Sequence, residues 1–524
     1  MKHLKELMAN FYPDEDKFAD LSQNHSLVPV VAELPLDGRK SVIRIFEDLF
    51  YKCKYAFLLN SGKGKKMNAR YSFLGGDPFL RFKYQDGNAT IWKKGKTFSE
   101  KSDPIKSFTA ILEEYKSSYF SYLPHFFGGG IGYFSYDLVH YLEPSFGIKK
   151  DGLNLPDIHF IFVDEIVAID HFEKKIKFIC LAKTNVKQVD QIYSNLILRL
   201  TDRINQYHLS PPKEKSFNNK KKIVIAKEAF QSNVTKKEFE DMVRKVKTYL
   251  KEGEIYQANL SQRFEAEFDG DPFILFKCLQ KINPSPFSAF LKLDDFFIVS
   301  SSPERLVKVY KNRIETRPIA GTRPRGITLN QDKSLSNELL LSEKEKAEHL
   351  MLVDLERNDL GRLCKYGSVK VNEFMILERY SHVWHIVSNI KGILKNNINL
   401  KAILNACFPG GTITGCPKIR SMEIINEIEN ISRGLYTGSL GYIGFSGEMD
   451  LNIIIRTVLI NNGKTYFQVG AGIVADSEPE LEFYETFSKA EAMQTAIQNM
   501  RNSSKNTEYN YNIFNLIKCN FKKY

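Results

Sequence analysis

Apolar and polar positions along this chain follow two periods, and the periods change at recognisable stops. After the capping box Thr235-Lys-Lys-Glu238, Phe239, Met242, Val243, Val246, Tyr249 and Leu250 recur at helical spacing, and Gly253 closes the run. Residues 255–268 continue as a strand. Residues 26–32, 55–62, 70–78, 157–170 and 175–182 read as strands ended by turn residues, and residues 41–50 as an amphipathic helix. Residues 128–136 are glycine-rich, but no strand opens them and no helix follows. They read as a structural glycine turn and not as a dinucleotide fingerprint. Strands and helices alternate to about residue 500, with no internal repeat.

Two helical stretches place acids beside an apolar stripe. In residues 342–355 helical spacing sets Glu345, Glu348, Leu352 and Leu355 on one face, and Leu350 to Val353 are apolar all round, as in a buried helix. In residues 476–493 a second Glu-x-x-Glu, Glu482 and Glu485, shares a strip with Lys489. That strip flanks a stripe of Phe483, Phe487, Ala490, Met493 and Ile497. One reading is a solvated first turn with acids near the positive helix end, plus an ordinary Glu485–Lys489 pair. The other is convergence of the two elements on an oxygen-rich Mg²⁺ site, with waters completing the shell. Spacing leaves both open.

Composition narrows the class. At 524 residues, 43% hydrophobic and 26% charged, the chain has the make-up of a globular protein with a large core. No apolar run approaches a membrane span, and the first residues have no secretory h-region. Seven scattered cysteines without a Cys-x-x-Cys pair suit a cytoplasmic location and argue against zinc or a disulfide framework. The net charge of +12 is spread out, with much of the excess at residues 213–222 and in the last few residues. No basic helix or basic-aromatic motif accompanies it, which argues against nucleic acid as a partner. Residues 210–222 are polar, Pro-containing and aperiodic, the best linker candidate. The expected organisation is an N-terminal region over 1–215, a catalytic region over 216–500 and a loosely ordered tail over 501–524.

Six stretches, in order, resemble one family. They are residues 253–264 (GEIYQANLSQRF), 317–326 (RPIAGTRPRG), 348–361 (EHLMLVDLERNDLG), 382–388 (HVWHIVS), 410–420 (GGTITGCPKIR) and 470–477 (GAGIVADS). The set is similar to the chorismate-utilising enzymes: the large subunits of anthranilate and aminodeoxychorismate synthases, and the isochorismate and salicylate synthases. The likeness runs from about Leu27 to Met493. It implies an α/β fold of two facing, mostly antiparallel sheets with outer helices, built from both halves of the chain, so that the linker becomes a surface excursion.

The resemblance also implies roles. Glu348 and Glu485 match Mg²⁺ carboxylates, with Glu345 and Glu482 reaching the ion directly or through water. Tyr436, Arg456, Lys489 and the backbone at Gly470 and Gly472 match groups that hold the substrate carboxylates. Thr412 and His385 match residues beside the ring. The chemistry suits these types: an Arg offers a planar fork to a carboxylate, and glycines let backbone N–H groups approach a ligand. His385 is a candidate general acid or base, although a His in an apolar strand is commonly a core residue. Arg456, in Ile453-Ile-Ile-Arg-Thr457, is a charge inside an expected strand and needs an anionic partner.

Two positions sort among family members. Gln257 stands where the isochorismate and salicylate synthases carry a water-activating lysine, which favours ammonia as nucleophile. Ala320 stands where many aminodeoxychorismate synthases carry a lysine, which favours anthranilate. Against it, residues 412–418, 373–385 and 433–442 resemble lysine-lacking aminodeoxychorismate synthases. The tryptophan site of anthranilate synthases is built on Leu-Leu-Glu-Ser. Here Leu58-Leu-Asn-Ser61 leaves Asn60 and Ser61 as a tryptophan site without its acid. The implied function is Mg²⁺-dependent amination of chorismate to 4-amino-4-deoxychorismate for folate synthesis, with anthranilate formation for tryptophan synthesis as the alternative. After residue 500 too little chain remains for a glutaminase segment, so ammonia is expected from a separate glutamine amidotransferase subunit.

Overall fold

The computed structural model describes residues 10–61, 70–143, 147, 149, 152–184, 188–209, 230–380 and 383–504. The linker at 210–222 and tail residues 505–524 lie outside them. Helix starts are set by side chains that satisfy orphan backbone donors. Ser41 caps Val42–Leu49, Thr235 and Glu238 form the capping box of Lys236–Lys251, and Ser342 caps Glu343–Leu363.

Two large antiparallel sheets result, of thirteen and twelve strands among the described residues. Both draw on both halves of the chain. Ala56–Asn60 pairs with Phe287–Leu293 in the first sheet, and Gly129–Phe134 pairs with Ser439–Gly444 in the second. Apolar residues of both sheets share one core, where Phe73 meets Tyr442 and Phe126 across the interface. The other face of the first sheet is covered by Glu15–Asn24, Val42–Leu49, Val189–Leu209, Pro272–Ile282 and Pro479–Ser504, which bury a second apolar cluster.

Three expectations need correction. Residues 128–136 form a strand, Gly129–Phe134, buried throughout between Ser439–Gly444 and Ile158–Val163. Glycine is required there by close approach of backbones. A Cβ at Gly132 would lie 2.0 Å from the His159 carbonyl oxygen, and one at Gly129 2.3 Å from that of Ile443. Residues 157–170 are two strands, Ile158–Val163 and Glu165–Asp170, which belong to different sheets. The Glu343–Leu363 helix is buried on one side only: His349, Leu352, Val353, Glu356, Asp359, Leu360 and Leu363 face inward, while Leu350 is 47% exposed. Its inner face packs on the strands Ile319–Pro324 and Val383–Ile393, so one stripe suffices.

Replacing Gly132 by alanine should destabilise the protein by about 3 kcal/mol, because the clash is with backbone that cannot turn aside. Urea unfolding would show this as a lower midpoint; an unchanged midpoint would mean the strands do not approach this closely.

Candidate active site

The two Glu-x-x-Glu elements open the helices Glu343–Leu363 and Pro479–Ser504, and they come within electrostatic reach of each other. Burial raises the Glu348 carboxyl above its ordinary range, and the charges of Glu345 and Glu485 raise it further, against Lys344. Burial likewise raises Glu482, opposed by the Ser477 hydroxyl and reinforced by Glu485. Lys344 acts on both sets, with its Nζ 4.0 Å from Glu348 Oε1. Glu345 leans the other way, 2.9 Å from Arg323 Nη1 and against Gly321. Glu485 and Lys489 make the ordinary i,i+4 pair at 2.7 Å.

Among the described residues no three His, Cys, Asp or Glu side chains stand close enough to hold an ion by themselves. The donor set is still of the right chemistry for Mg²⁺: carboxylates from two helices, of which Glu348 and Glu482 are raised by burial, for an ion that commonly takes one or two of them and keeps waters.

The second wall is built on glycine. The strand Lys464–Ile473 pairs with Gln257–Glu267, setting Gly470 opposite Ser261 and Gly472 opposite Asn259. A Cβ at Gly470 would lie 2.7 Å from the Tyr436 hydroxyl, and one at Gly472 2.8 Å from Gln257 Nε2. The wall therefore brings together Gln257, Tyr436, Gly470 and Gly472. Lys489 joins it to the acid-bearing helix by donating to the Gly470 carbonyl at 2.9 Å. Tyr436 is buried, and its hydroxyl accepts from Asn259 Nδ2 at 3.5 Å.

Arg456 does not lie inside a strand. It occupies the break between Met449–Ile453 and Thr457–Asn461 with φ +50°, a backbone conformation that non-glycine residues adopt at a cost on the order of 1 kcal/mol. Its carbonyl is pinned by the Ser301 N–H at 3.1 Å. Its guanidinium is turned inward, reaching Asn283 Oδ1 at 3.4 Å. Burial lowers its proton affinity, and Glu304 and Tyr380 partly restore it. No ion pair to Arg456 is found among the described residues, and a half-buried guanidinium without a carboxylate partner is open to an anion.

Glu304 is a candidate functional residue that the sequence reading missed. It follows Pro303 after the strand Phe296–Ser302 and is 5% exposed. Burial pushes its carboxyl up to about 7, opposed by the Thr412 hydroxyl, the Ile319 N–H and Arg456. Neither Glu304 Oε1 nor Thr412 Oγ1 has a hydrogen bond of normal geometry. The available signal was an acid set directly after a serine- and apolar-rich strand. His385, on Val383–Ile393, is 3% exposed; its Nδ1 lies 2.9 Å from Thr322 Oγ1, and the Tyr380 ring stacks edge-on at 5.4 Å. Burial pushes its imidazole down to about 3, helped by the charge of Arg456. At neutral pH it is an uncharged ring. Ala320 pairs with Ile386 next to it, and the register slips at Gly321, φ +71°.

Asn60 and Ser61 lie elsewhere. They line a cavity between the sheets with about 110 Å³ of water-accessible space, together with Arg70, His125, Lys308 and Asp450. Asn60 is held by Gln280 Oε1 at 3.2 Å and the Ser72 hydroxyl at 3.0 Å.

Residues 55–495 match the profile of the family described as chorismate binding enzyme. The chain is 42% identical over 487 residues to anthranilate synthase component 1 of Aquifex aeolicus, covering 91% of this chain and 96% of that protein. It is 41% identical over 470 residues to aminodeoxychorismate synthase component 1 of Bacillus subtilis, covering 90% and 97%. The crystal structure of anthranilate synthase component I from Streptococcus pneumoniae superposes with a TM-score of 0.71 at 32% identity, covering 88% of this chain and 99% of that one.

The His385 geometry has a consequence for stability. Its folded pKa lies below the unfolded value near 6.5, so the unfolded chain binds the extra proton and stability falls as pH drops from about 6.5 toward 3. His385→Gln should flatten the pH dependence of unfolding free energy in that window, by up to about 1.4 kcal/mol per pH unit. A slope unchanged in the variant would mean that His385 is not buried as a neutral ring.

Proposed function

This chain belongs to the chorismate-binding enzymes, and we propose that it aminates chorismate with ammonia to give 4-amino-4-deoxychorismate. The observation that carries the reading is the half-buried Arg456 without a paired carboxylate among the described residues, within electrostatic reach of Glu304 and His385. Chorismate is a dianion whose amination expels the C4 hydroxyl. Arg456 would grip one carboxylate as a planar fork, with Tyr436 and the Gly470–Gly472 backbone shaping the wall that receives it. Glu304, poised near neutrality, would protonate the departing hydroxyl. His385, neutral and held by Thr322, would orient the ring by hydrogen bonding without adding a charge.

Glu348 and Glu485, with Glu345 and Glu482 reaching directly or through water, would hold Mg²⁺. That ion, when bound, would neutralise a substrate carboxylate and take up charge that develops across the diene. Gln257 bears no basic group, which disfavours activation of water and leaves ammonia as the nucleophile. A separate glutamine amidotransferase subunit would supply that ammonia.

Attack at C4 is favoured by the likeness of residues 412–418, 373–385 and 433–442 to lysine-lacking aminodeoxychorismate synthases, and by the amide of Asn60 in the inter-sheet cavity. The second reading, anthranilate synthase component I, is favoured by Ala320, and relatives of both kinds stand at nearly equal identity.

Incubation with chorismate, ammonium and Mg²⁺ separates the two. An aminated product that retains the enolpyruvyl group is expected, while fluorescent anthranilate and pyruvate without an added lyase would overturn attack at C4. Glu304→Gln should lower kcat by about a hundredfold with little change in the KM for chorismate. An undiminished kcat would remove Glu304 from the chemistry.

A further inference from the structure

Arg433 is 3% exposed, and its guanidinium uses all five of its N–H groups. Nε donates to Glu429 Oε2 at 2.9 Å and Nη2 to Glu429 Oε1 at 2.8 Å, a two-point fork on one carboxylate. Nη1 donates to the Ile413 carbonyl at 3.0 Å and to the Thr437 hydroxyl at 3.4 Å. The other Nη2 proton goes to the Asn259 carbonyl. Glu429 caps the end of Lys418–Ile428, and its Oε1 also takes the Ser261 N–H at 2.8 Å and the Ser261 hydroxyl at 2.7 Å. With no donor to spare for a ligand, Arg433 is built to hold parts of the chain together.

The parts it holds are pieces of the pocket wall that lie far apart in sequence. Ile413 follows Thr412 in the single turn Gly411–Ile413. Asn259 and Ser261 pair with Gly472 and Gly470, and Asn259 Nδ2 reaches the Tyr436 hydroxyl. The Tyr436 N–H donates back to the Arg433 carbonyl at 3.0 Å, and the guanidinium lies 5.6 Å from the Tyr436 ring centroid. Thr437, directly after it, has φ +63°, a left-handed conformation that a β-branched residue adopts only at a cost. Its hydroxyl accepts from Arg433 and donates to the Tyr436 carbonyl at 2.5 Å. Its N–H donates at 2.9 Å to the Ile454 carbonyl, two residues ahead of Arg456.

Resting on the reading of Tyr436 as part of the wall that receives a substrate carboxylate, we propose that Arg433 is a positioning residue: its fork on Glu429 sets the Tyr436 hydroxyl beside Gly470 for that carboxylate. A lysine would keep the charge but not the planar fork, and three donors on one atom cannot span a carboxylate, two carbonyls and a hydroxyl.

The test follows chorismate consumption, which reads the same whichever carbon is aminated, in the parent, Arg433→Lys, Tyr436→Phe and the double variant. Tyr436→Phe should raise KM for chorismate about tenfold with kcat within about threefold. Arg433→Lys should raise KM by a similar factor, and adding Tyr436→Phe to it should cost less than about twofold more, because the hydroxyl is already out of place. Single effects that multiply to about a hundredfold would overturn the proposal, since a merely structural Arg433 acts independently of that hydroxyl. Parental KM in Arg433→Lys would overturn the positioning role and leave Tyr436 standing. Parental KM in Tyr436→Phe would overturn the reading of Tyr436 and the proposal with it. Thr437→Gly keeps the question open to test if Arg433→Lys fails to fold. It removes one group held by Arg433 but accepts φ +63° freely, so it should unfold near the parental urea midpoint and still raise KM about threefold. Parental KM in that variant would overturn the proposal.

Discussion

Charge buried with too little counter-charge is the constraint on which this structure turns. Arg456 sits in a strained backbone conformation, half-buried, with its guanidinium 3.4 Å from the Asn283 amide oxygen. A guanidinium in that position is costly unless an anion meets it. Glu304 supplies part of the compensation without forming an ion pair, and the remainder is left for a ligand carboxylate. The same shortage of compensation holds Glu304 near neutrality, which is the condition a proton carrier needs. On the proposed function, binding and proton transfer would be two consequences of one electrostatic deficit.

The helix Glu343–Leu363 connects the two ends of the site. Near its start it carries Glu348 within electrostatic reach of Glu485 at the opening of Pro479–Ser504, and burial together with that charge raises the Glu348 carboxyl. Two turns further in, the same helix presents Glu356 and Asp359 to the buried side. Rigidity links these ends, since a helix that packs on the strands Ile319–Pro324 and Val383–Ile393 cannot shift one without the other. The opposite wall is made rigid by different means. Strand pairing sets Gly470 and Gly472 beside Tyr436 and Gln257, and a Cβ at Gly470 would lie 2.5 Å from the Leu260 carbonyl oxygen.

Much of this was legible as pattern. The capping box at Thr235 and the period change after it marked a helix that the structure contains, because those signals act within a few residues. The Glu482–Glu485–Lys489 strip was legible too, and its ordinary ion pair is present. The glycine-rich segment was misread because a buried central strand made of glycines has no side-chain period to detect. Arg456 was misplaced within a strand because its flanks are β-branched and apolar, and nothing local announces a positive φ. Glu304 passed unnoticed because its importance depends on burial, which one acid in one short stretch does not signal.

The sequence by itself determined the family, the alternation of elements and the residue types offered to a carboxylate-bearing ligand, since each is encoded in spacing or in motif. Which charges would lack partners was decided by tertiary structure alone. Glu304 and Glu356 are separated by half a hundred positions and Arg456 by a hundred more. Only when the two sheets close on each other are these groups taken out of water together, and desolvation acts on position in space and not on position in the chain.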